Sequence, residues 1–230
     1  MNAMILAAGR GERMRPLTDH CPKPLLAVGG QTLIGRHLER LAAAGCKQVV
    51  VNVAWLGHRL REYLGDGSHW GLRVVISDEG AEALETAGGI VNALPLLGPQ
   101  PFWVVNGDIW TDFDLASLPA EPEGLGHLVL VDNPAHHPEG DFRLAGDRVE
   151  NPKGEPALTF AGIACYRPEL FAGQTAAIAP LGPVLRRAAE RRQVTGSYHH
   201  GVWFDVGTPR RLAAADVAVK GLQDAGSDAH

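Results

Sequence analysis

Hydrophobic runs alternate with amphipathic segments along the first half of the chain. The apolar runs predict buried strands, and they are residues 3–7, 47–53, 72–77 and 102–106. Between them, apolar residues recur at helical spacing in residues 31–44, 57–64 and 88–97. Strands that alternate with helices over short connections are typical of a mostly parallel sheet with helices on both faces. The first half therefore predicts an α/β fold.

The second half keeps few helices and contains more strand-like segments. The predicted strands are residues 127–131, a hairpin of 141–144 with 148–150, and residues 158–166, 194–199 and 202–205. The predicted helices are residues 181–192 and a closing helix at 209–220. No linker, repeat or low-complexity run interrupts the pattern. We predict one mixed-sheet α/β domain over residues 1–222 with a β-rich insertion, and a flexible tail at residues 223–230.

The composition excludes several classes of protein. The chain has 230 residues, 45% of them hydrophobic, and a formal net charge of −5, which argues against a nucleic acid or a membrane surface as partner. No apolar stretch approaches the ~20 residues of a membrane span. Cys21, Cys46 and Cys165 form no C-x-x-C pair, so we expect a reducing, cytoplasmic location.

A glycine-rich loop with basic residues follows the first strand. Gly9 and Gly11 permit a close approach of the backbone to a ligand, and Arg13, Arg15 and Lys23 bring positive charge to the same stretch. Met14 stands where a dinucleotide-binding G-x-G-x-x-G needs its third glycine, and no G-K-[ST] of a P-loop is present. Backbone N–H groups and cations in such a loop can surround a triphosphate.

Two acidic residues stand at the ends of predicted strands. Asp108 follows the strand at 102–106, and Asp205 ends the strand at 202–205. Ligands of open α/β sheets bind at the carboxyl ends of strands, and Mg²⁺ prefers carboxylate oxygens. Each residue has an alternative interpretation, Asp108 as a turn or helix cap and Asp205 as a helix cap. Both could hold one metal ion only if their strands end at the same sheet edge.

These motifs together resemble the sugar-phosphate nucleotidylyltransferases. The segments that carry the resemblance are L-A-A-G-R-G-E-R-M-R-P-L-T at residues 6–18, P-K-P-L at 22–25, V-V-N-G-D at 104–108 and W-F-D-V-G-T-P at 203–209. The resemblance implies a Rossmann-like nucleotide-diphospho-sugar transferase fold. It places the nucleotide-binding part at about residues 1–110 and the sugar-binding part at about 111–205. It also implies that Asp108 and Asp205 bind Mg²⁺, and that Arg13, Lys23 and Asp108 are catalytic.

The resemblance assigns further residues to the two substrates. The nucleotide-binding set is Ala8, Gly9, Gly11, Glu12, Arg13, Lys23, Glu79 and Gly88. Glu79 and Glu85 both remain candidates for reading the base. The sugar-phosphate set is Asn106, Asp141, Glu150, Asn151 and Gly162. The family often has Glu-Lys-Pro before the strand that contains Gly162, whereas this chain has Glu150-Asn151-Pro152-Lys153.

Longer stretches favour one substrate pair within the family. Segments such as L-G-D-G-S at residues 64–68 and D-N-P-A-H-H at 132–137 resemble members of bacterial peptidoglycan recycling that use UTP and N-acetylmuramic acid α-1-phosphate. GTP with mannose 1-phosphate, dTTP with glucose 1-phosphate, and a catalytically silent nucleotide-sugar sensor remain alternatives. We expect a monomer or small homo-oligomer, and no zinc at the pairs His136-His137 and His199-His200, which lack partners at ligand spacing.

Overall fold

A nine-stranded sheet runs through the computed structural model, which describes residues 1–227. Its strands are β1 (Asn2–Leu6), β4 (Gln48–Val53), β5 (Arg73–Asp78), β6 (Phe102–Asn106), β8 (Gly126–Val131), β9 (Arg143–Ala145), β10 (Arg148–Glu150), β11 (Thr159–Tyr166) and β12 (Val194–Tyr198). Their order is β5-β4-β1-β6-β11-β8-β12-β10-β9. Two small sheets pair β2 (Ala27–Val28) with β3 (Gln31–Thr32), and β7 (Ile109–Thr111) with β13 (Trp203–Asp205).

The direction of the strands divides the large sheet. The four strands β5, β4, β1 and β6 are parallel, so their carboxyl ends lie along one edge. β11 is antiparallel to both β6 and β8, which makes the sheet mixed. The pairing of β11 with β8 shifts its register between Phe160 and Ala164, and Gly162 has a φ of 74° there. This bulge bends β11 beside the end of β6.

Five α-helices complete the fold of the described residues, and four of them cover the two faces of the sheet. The helices are α1 (Leu33–Ala43), α2 (Gly57–Leu64), α3 (Glu85–Leu97), α4 (Gly182–Glu190) and α5 (Pro209–Ser227). Side chains of β1 alternate between two cores, since Ile5 packs in a cluster with α1 and α2, and Met4 in a cluster with α3 and α4. A third cluster packs α5 against both small sheets through Val28, Trp110 and Val219.

The observed fold confirms the predicted class, a mixed α/β sheet with helices on both faces. Three local features differ. The short strands β2, β3 and β7 were not predicted by any run of apolar residues. They form the pair β2–β3 and one half of the pair β7–β13. α1 begins at Leu33, because Thr32 caps the helix by accepting a hydrogen bond from the backbone N of Gly35.

α5 continues to Ser227, beyond the predicted end at residue 220 and into the predicted tail, whose residues 228–230 lie outside the described part. The division into nucleotide and sugar parts stays a prediction. None of the helices in the described residues is long and apolar enough to cross a membrane.

Candidate active site

A cavity of about 340 Å³ opens at the carboxyl ends of the parallel strands. Leu6 at the end of β1, Asn52 in β4 and Asn106 at the end of β6 contribute to its wall. Open α/β sheets bind ligands at this edge. The predicted site residues that line it are Ala8, Gly9, Gly11, Glu12, Arg13, Lys23, Glu79, Asn106 and Asp108.

The glycine-rich loop is held in a fixed turn at the rim of the cavity. Gly11 has a φ of 68°, and a Cβ added there would lie 3.0 Å from the Cγ2 of Thr18. The hydroxyl of buried Thr18 donates to the backbone oxygen of Gly11 over 2.8 Å. Met14 is buried below the loop, whereas Arg13 is exposed and makes no hydrogen bond or ion pair with the residues that the structure describes. The loop therefore presents a free guanidinium.

Lys23 and Asp108 meet inside the cavity. The Nζ of Lys23 lies 2.5 Å from Oδ2 of Asp108, and the lysine side chain is only 12% exposed. Lys23 begins a short 3-10 helix, Lys23–Leu25, and stands between Pro22 and Pro24, which restrict its backbone. The sequence prediction that these two residues share a site agrees with this geometry.

Asp205 is the backbone neighbour of Asp108. β13 runs antiparallel to β7 with Asp205 opposite Ile109, and the backbone N of Val206 donates to the oxygen of Asp108 over 2.8 Å. The backbones of the two acids are brought together by a separate two-stranded sheet, not by the edge of the large sheet as expected. The carboxylate of Asp205 lies 2.9 Å from Nη1 of Arg211 and 3.1 Å from Nε2 of His136.

α1 supports the short strand β7 that follows Asp108. Arg36 and Arg40 donate to the backbone oxygen of Thr111, over 3.3 and 2.6 Å. His37 is completely buried and hydrogen-bonds to the backbone of Ile109. Burial, together with the charges of Arg40 and Arg36, lowers the pKa of His37 to about 4. A neutral imidazole thus lies directly behind the strand that carries the site.

Asn52 joins both sides of the cavity and was missed in the sequence. Its Oδ1 accepts from the backbone N of Ala7, and its Nδ2 donates to Oε1 of Glu79, each over 2.7 Å. The other carboxylate oxygen of Glu79 accepts from the backbone N of Leu84 at 2.8 Å. The signal that the sequence offered for Asn52 was its position as a polar residue within the buried run Val49–Val53. Glu79 and Glu85 both line the cavity, so the structure leaves both candidates in place.

The predicted sugar-side residues divide into two groups. Gly162 lies against Asn106 of the cavity wall, since a Cβ added there would lie 2.5 Å from Nδ2 of Asn106. Asp141 is joined to the same bulge, because its Oδ2 accepts from the backbone N of Phe160 over 2.9 Å. Its Oδ1 lies 3.1 Å from Nε2 of His137. Asn106, Gly162 and Asp141 therefore form one continuous group beside the cavity.

Glu150 and Asn151, which were predicted to bind the sugar phosphate, do not line this cavity. Glu150 accepts from Arg143 over 2.7 Å, and Asn151 donates to the backbone oxygen of Arg186 over 3.1 Å. Both line a different cavity, near α4. The physical reason is the strand order, since β11, β8 and β12 separate β10 from β6.

Gly88 also stays outside the lining of the cavity. A Cβ added there would lie 2.0 Å from the backbone oxygen of Ala177, and its backbone N donates to Ala179 over 3.2 Å. The residue allows α3 to pack against the backbone of residues 177–179. The absence of a side chain at Gly88 thus serves this packing.

The histidine pair 136–137 contacts two of the predicted site acids, which sequence reasoning did not anticipate. His136 reaches Asp205 and His137 reaches Asp141. Consecutive Cα atoms are only about 3.8 Å apart, so two neighbouring residues of one loop contact both acids. The two-residue motif itself contained no signal for these partners.

Comparison with known proteins agrees with this architecture. The model of the nucleotidyl transferase family matches residues 2–220. The chain belongs to this family. A nucleotidyl transferase relative, N-acetylmuramate alpha-1-phosphate uridylyltransferase of Neisseria meningitidis, is 53% identical over 94% of this chain and 96% of its own length. The enzyme of the same name from Caulobacter vibrioides is 38% identical over 93% of this chain and 95% of its own length.

Solved structures of nucleotidyl transferases show the same fold. A putative glucose-1-phosphate thymidylyltransferase from Bacillus anthracis superposes with a TM-score of 0.84 at 19% identity, over 96% of both chains. A UDP-glucose pyrophosphorylase bound to UDP-glucose gives a TM-score of 0.76, over 94% of this chain and 97% of its own. The family and fold that the sequence motifs predicted are therefore confirmed.

Proposed function

We propose that this nucleotidyltransferase transfers a uridylyl group from UTP to the phosphate of N-acetylmuramic acid α-1-phosphate, in peptidoglycan recycling. The products are UDP-N-acetylmuramic acid and pyrophosphate. One observation carries the type of reaction: Lys23 and Asp108 meet in a cavity that the glycine-rich loop borders. The substrate pair is supported by the two relatives of that activity, which align over more than nine-tenths of both chains.

The reaction needs no nucleophile from the protein. An oxygen of the sugar phosphate forms a bond to the α-phosphorus of UTP, and the bond from that phosphorus to the pyrophosphate oxygen breaks. Catalysis then consists of positioning the reactants in line and stabilising charge. Arg13 and the backbone of residues 11–13 would hold the departing pyrophosphate, and Lys23 would neutralise charge on the reacting phosphates.

The remaining residues of the cavity would orient the two substrates. Ala8, Gly9 and Glu12 border the nucleotide, and Glu79 or Glu85 would accept a hydrogen bond from the base. Asn106, Asp141 and the bulge at Gly162 would contact the sugar. Glu150, Asn151 and Gly88 have no direct contact in this proposal, because Glu150 and Asn151 line a different cavity and Gly88 packs against the backbone of Ala177.

The chemistry of Asp108 and Asp205 fits Mg²⁺. Both offer carboxylate oxygens, and each has a cationic partner, Lys23 for Asp108 and Arg211 for Asp205, while His136 also contacts Asp205. The described residues contain no group of three or more candidate ligands, so phosphate and water oxygens would complete the coordination. The chemistry that Mg²⁺ would supply when bound is stabilisation of the charge that develops on the phosphates.

A substrate panel tests the proposal. Purified protein with Mg²⁺ is given UTP and N-acetylmuramic acid 1-phosphate, and both pyrophosphate and the UDP-sugar mass are measured. We expect a higher kcat/KM for this pair than for GTP with mannose 1-phosphate or dTTP with glucose 1-phosphate. A faster reaction of another pair would contradict the substrates. Nucleotide binding without pyrophosphate release from any pair would instead support a silent sensor. Oligomeric state and cytoplasmic location stay predictions.

A further inference from the structure

The proposed acceptor carries an anionic group that glucose and mannose lack. N-acetylmuramic acid α-1-phosphate has a lactyl ether that ends in a carboxylate, in addition to its phosphate. A carboxylate bound in a partly enclosed site needs a cation or several N–H donors. This inference rests on the proposed function and concerns which side chain meets that carboxylate.

Most cations around the glycine-rich loop already have partners. Lys23 is paired with Asp108. Arg10 donates to the backbone oxygen of Thr18 over 3.0 Å and lies 3.6 Å from the ring centroid of Trp55. Arg15 donates to Asp19 over 2.8 Å. Arg13 is free, but its loop lies at the phosphate end of the cavity. A cation for the lactyl group must therefore come from the sugar side.

Arg211 at the start of α5 supplies such a cation. Gly207, which lines the cavity, leaves room for its guanidinium: a Cβ on Gly207 would lie 1.8 Å from Nη2 of Arg211. The Nη1 of Arg211 contacts Asp205, whereas its Nε is buried without a hydrogen-bond partner among the described residues. A guanidinium has five N–H donors in a planar fork that matches a carboxylate. Arg211 thus has N–H donors beyond the one that Asp205 accepts.

Asp205 has a second polar partner besides Arg211. Asp205 contacts Arg211 and His136, and the neighbouring acid, Asp108, is already paired with Lys23. The loop with His136 continues to His137, which contacts Asp141 on the sugar side. Arg211 therefore lies beside Gly207 of the cavity wall and in contact with Asp205, near the loop that reaches Asp141.

We propose that Arg211 binds the lactyl carboxylate of the acceptor and so distinguishes muramic acid from sugars that lack this group. Gly207 is part of the same device, because only a residue without a side chain leaves the space that the guanidinium occupies. Arg186 is the rival cation: it donates to the backbone oxygen of Asp141 over 3.3 Å and lies over the ring of Phe142.

Binding of two product nucleotides tests the assignment. UDP-N-acetylmuramic acid and UDP-N-acetylglucosamine differ only by the lactyl ether, so calorimetry at constant Mg²⁺ isolates its contribution. We expect Arg211→Gln to weaken UDP-N-acetylmuramic acid about 10- to 100-fold, as for the loss of a charged hydrogen bond, and UDP-N-acetylglucosamine less than about threefold. Arg211→Lys should recover part of the loss, since it keeps the charge without the fork.

Two further variants make the test specific. Gly207→Ala should weaken the same product selectively, because its Cβ displaces the guanidinium. Arg210→Gln is the matched control, an exposed neighbouring arginine for which we expect unchanged binding of both products. The proposal would be overturned if Arg211→Gln weakened the binding of both products equally or of neither. It would also be overturned if Arg186→Gln selectively weakened the binding of UDP-N-acetylmuramic acid. Failure of the proposed function is a separate result, in which the unmodified protein makes no UDP-N-acetylmuramic acid.

Discussion

The Nζ of Lys23 lies 2.5 Å from Oδ2 of Asp108, and this ion pair joins the segment after the glycine-rich loop to the end of β6. The pair is partly buried, with the lysine 12% and the aspartate 39% exposed. Each side chain therefore restricts the other before a substrate arrives. Both are proposed to act on the same phosphates, Lys23 directly and Asp108 through a metal ion, so their contact fixes the centre of the site.

Loss of the Asp108 carboxylate should abolish most activity without unfolding the protein. We expect Asp108→Ala to lower kcat about 100- to 1000-fold, because one charge-stabilising group of the transition state is lost. The melting temperature should fall only slightly, since a partly exposed ion pair contributes little stability. Pyrophosphate release and thermal unfolding measure the two effects. Asp224→Ala, an exposed site on α5, is the control. Turnover of Asp108→Ala near that of the unmodified protein would refute the role.

Asn52 is expected to connect stability with nucleotide binding. Asn52→Leu leaves the buried backbone N of Ala7 and the carboxylate of Glu79 without their amide partner, which should lower the free energy of unfolding by about 1–3 kcal/mol. The KM for UTP should rise, because Ala7 and Glu79 line the cavity that we propose binds the nucleotide. Urea unfolding and initial rates measure both.

Asn92→Leu is the matched control for Asn52→Leu. Asn92 is a partly exposed amide on α3 that donates to Ser77 over 3.1 Å, so we expect a smaller loss of stability and an unchanged KM. If the two variants unfold at the same urea concentration and have the same KM, Asn52 does not connect the two sides of the cavity.

The sequence predicted the parts of the fold whose signal is local. The buried run at β4 and the helical spacing of α1 each determine one element with its buried face. The motifs also predicted that Lys23, Asp108 and the glycine-rich loop lie close together, since each stands at the end of a strand or in a loop of recognisable pattern. Open α/β sheets place such residues at one edge, so the site followed from the fold.

Features that depend on long-range pairing could not be predicted. β7 has three residues and exists because β13 pairs with it, and no periodicity in Ile109–Thr111 indicates that partner. Glu150 and Asn151 were placed on the sugar side by resemblance. Their position away from the cavity follows from the strand order, in which β11, β8 and β12 separate β10 from β6, and neither segment indicates that order. The contacts of His136 with Asp205 and of His137 with Asp141 likewise depend on how one loop folds across the site.

Gly88 should be intolerant of any side chain, for a reason of packing. A Cβ at Gly88 would meet the backbone oxygen of Ala177 at 2.0 Å, and backbone cannot move aside as a flexible side chain can. We expect Gly88→Ala to lower the free energy of unfolding by about 1–3 kcal/mol. Gly221→Ala, in α5 with nothing within 4 Å, should raise it by about 0.5–1 kcal/mol. Chemical unfolding distinguishes these opposite signs, and equal stability of both variants would contradict the packing.

His37 should make the stability of the fold depend on pH between about 6.5 and 4. Burial first, and then the charges of Arg40 and Arg36, lower its pKa to about 4, whereas an unfolded histidine has a pKa of about 6.5. Above about pH 6.5 both states are neutral at this residue and the full stability is present. As the pH falls through this window the unfolded state binds the extra proton, so stability is lost progressively, by about 3 kcal/mol at pH 4.

The variant His37→Gln removes this titration while keeping a donor for the backbone of Ile109. We expect its free energy of unfolding, measured in urea at pH 7.5, 6 and 5, to decline less steeply than that of the unmodified protein. Part of the decline remains, because burial also lowers the pKa of His127. His69→Gln, at an exposed position, should leave the pH dependence unchanged. An identical slope in His37→Gln and the unmodified protein would mean that the imidazole behind β7 does not limit stability in acid.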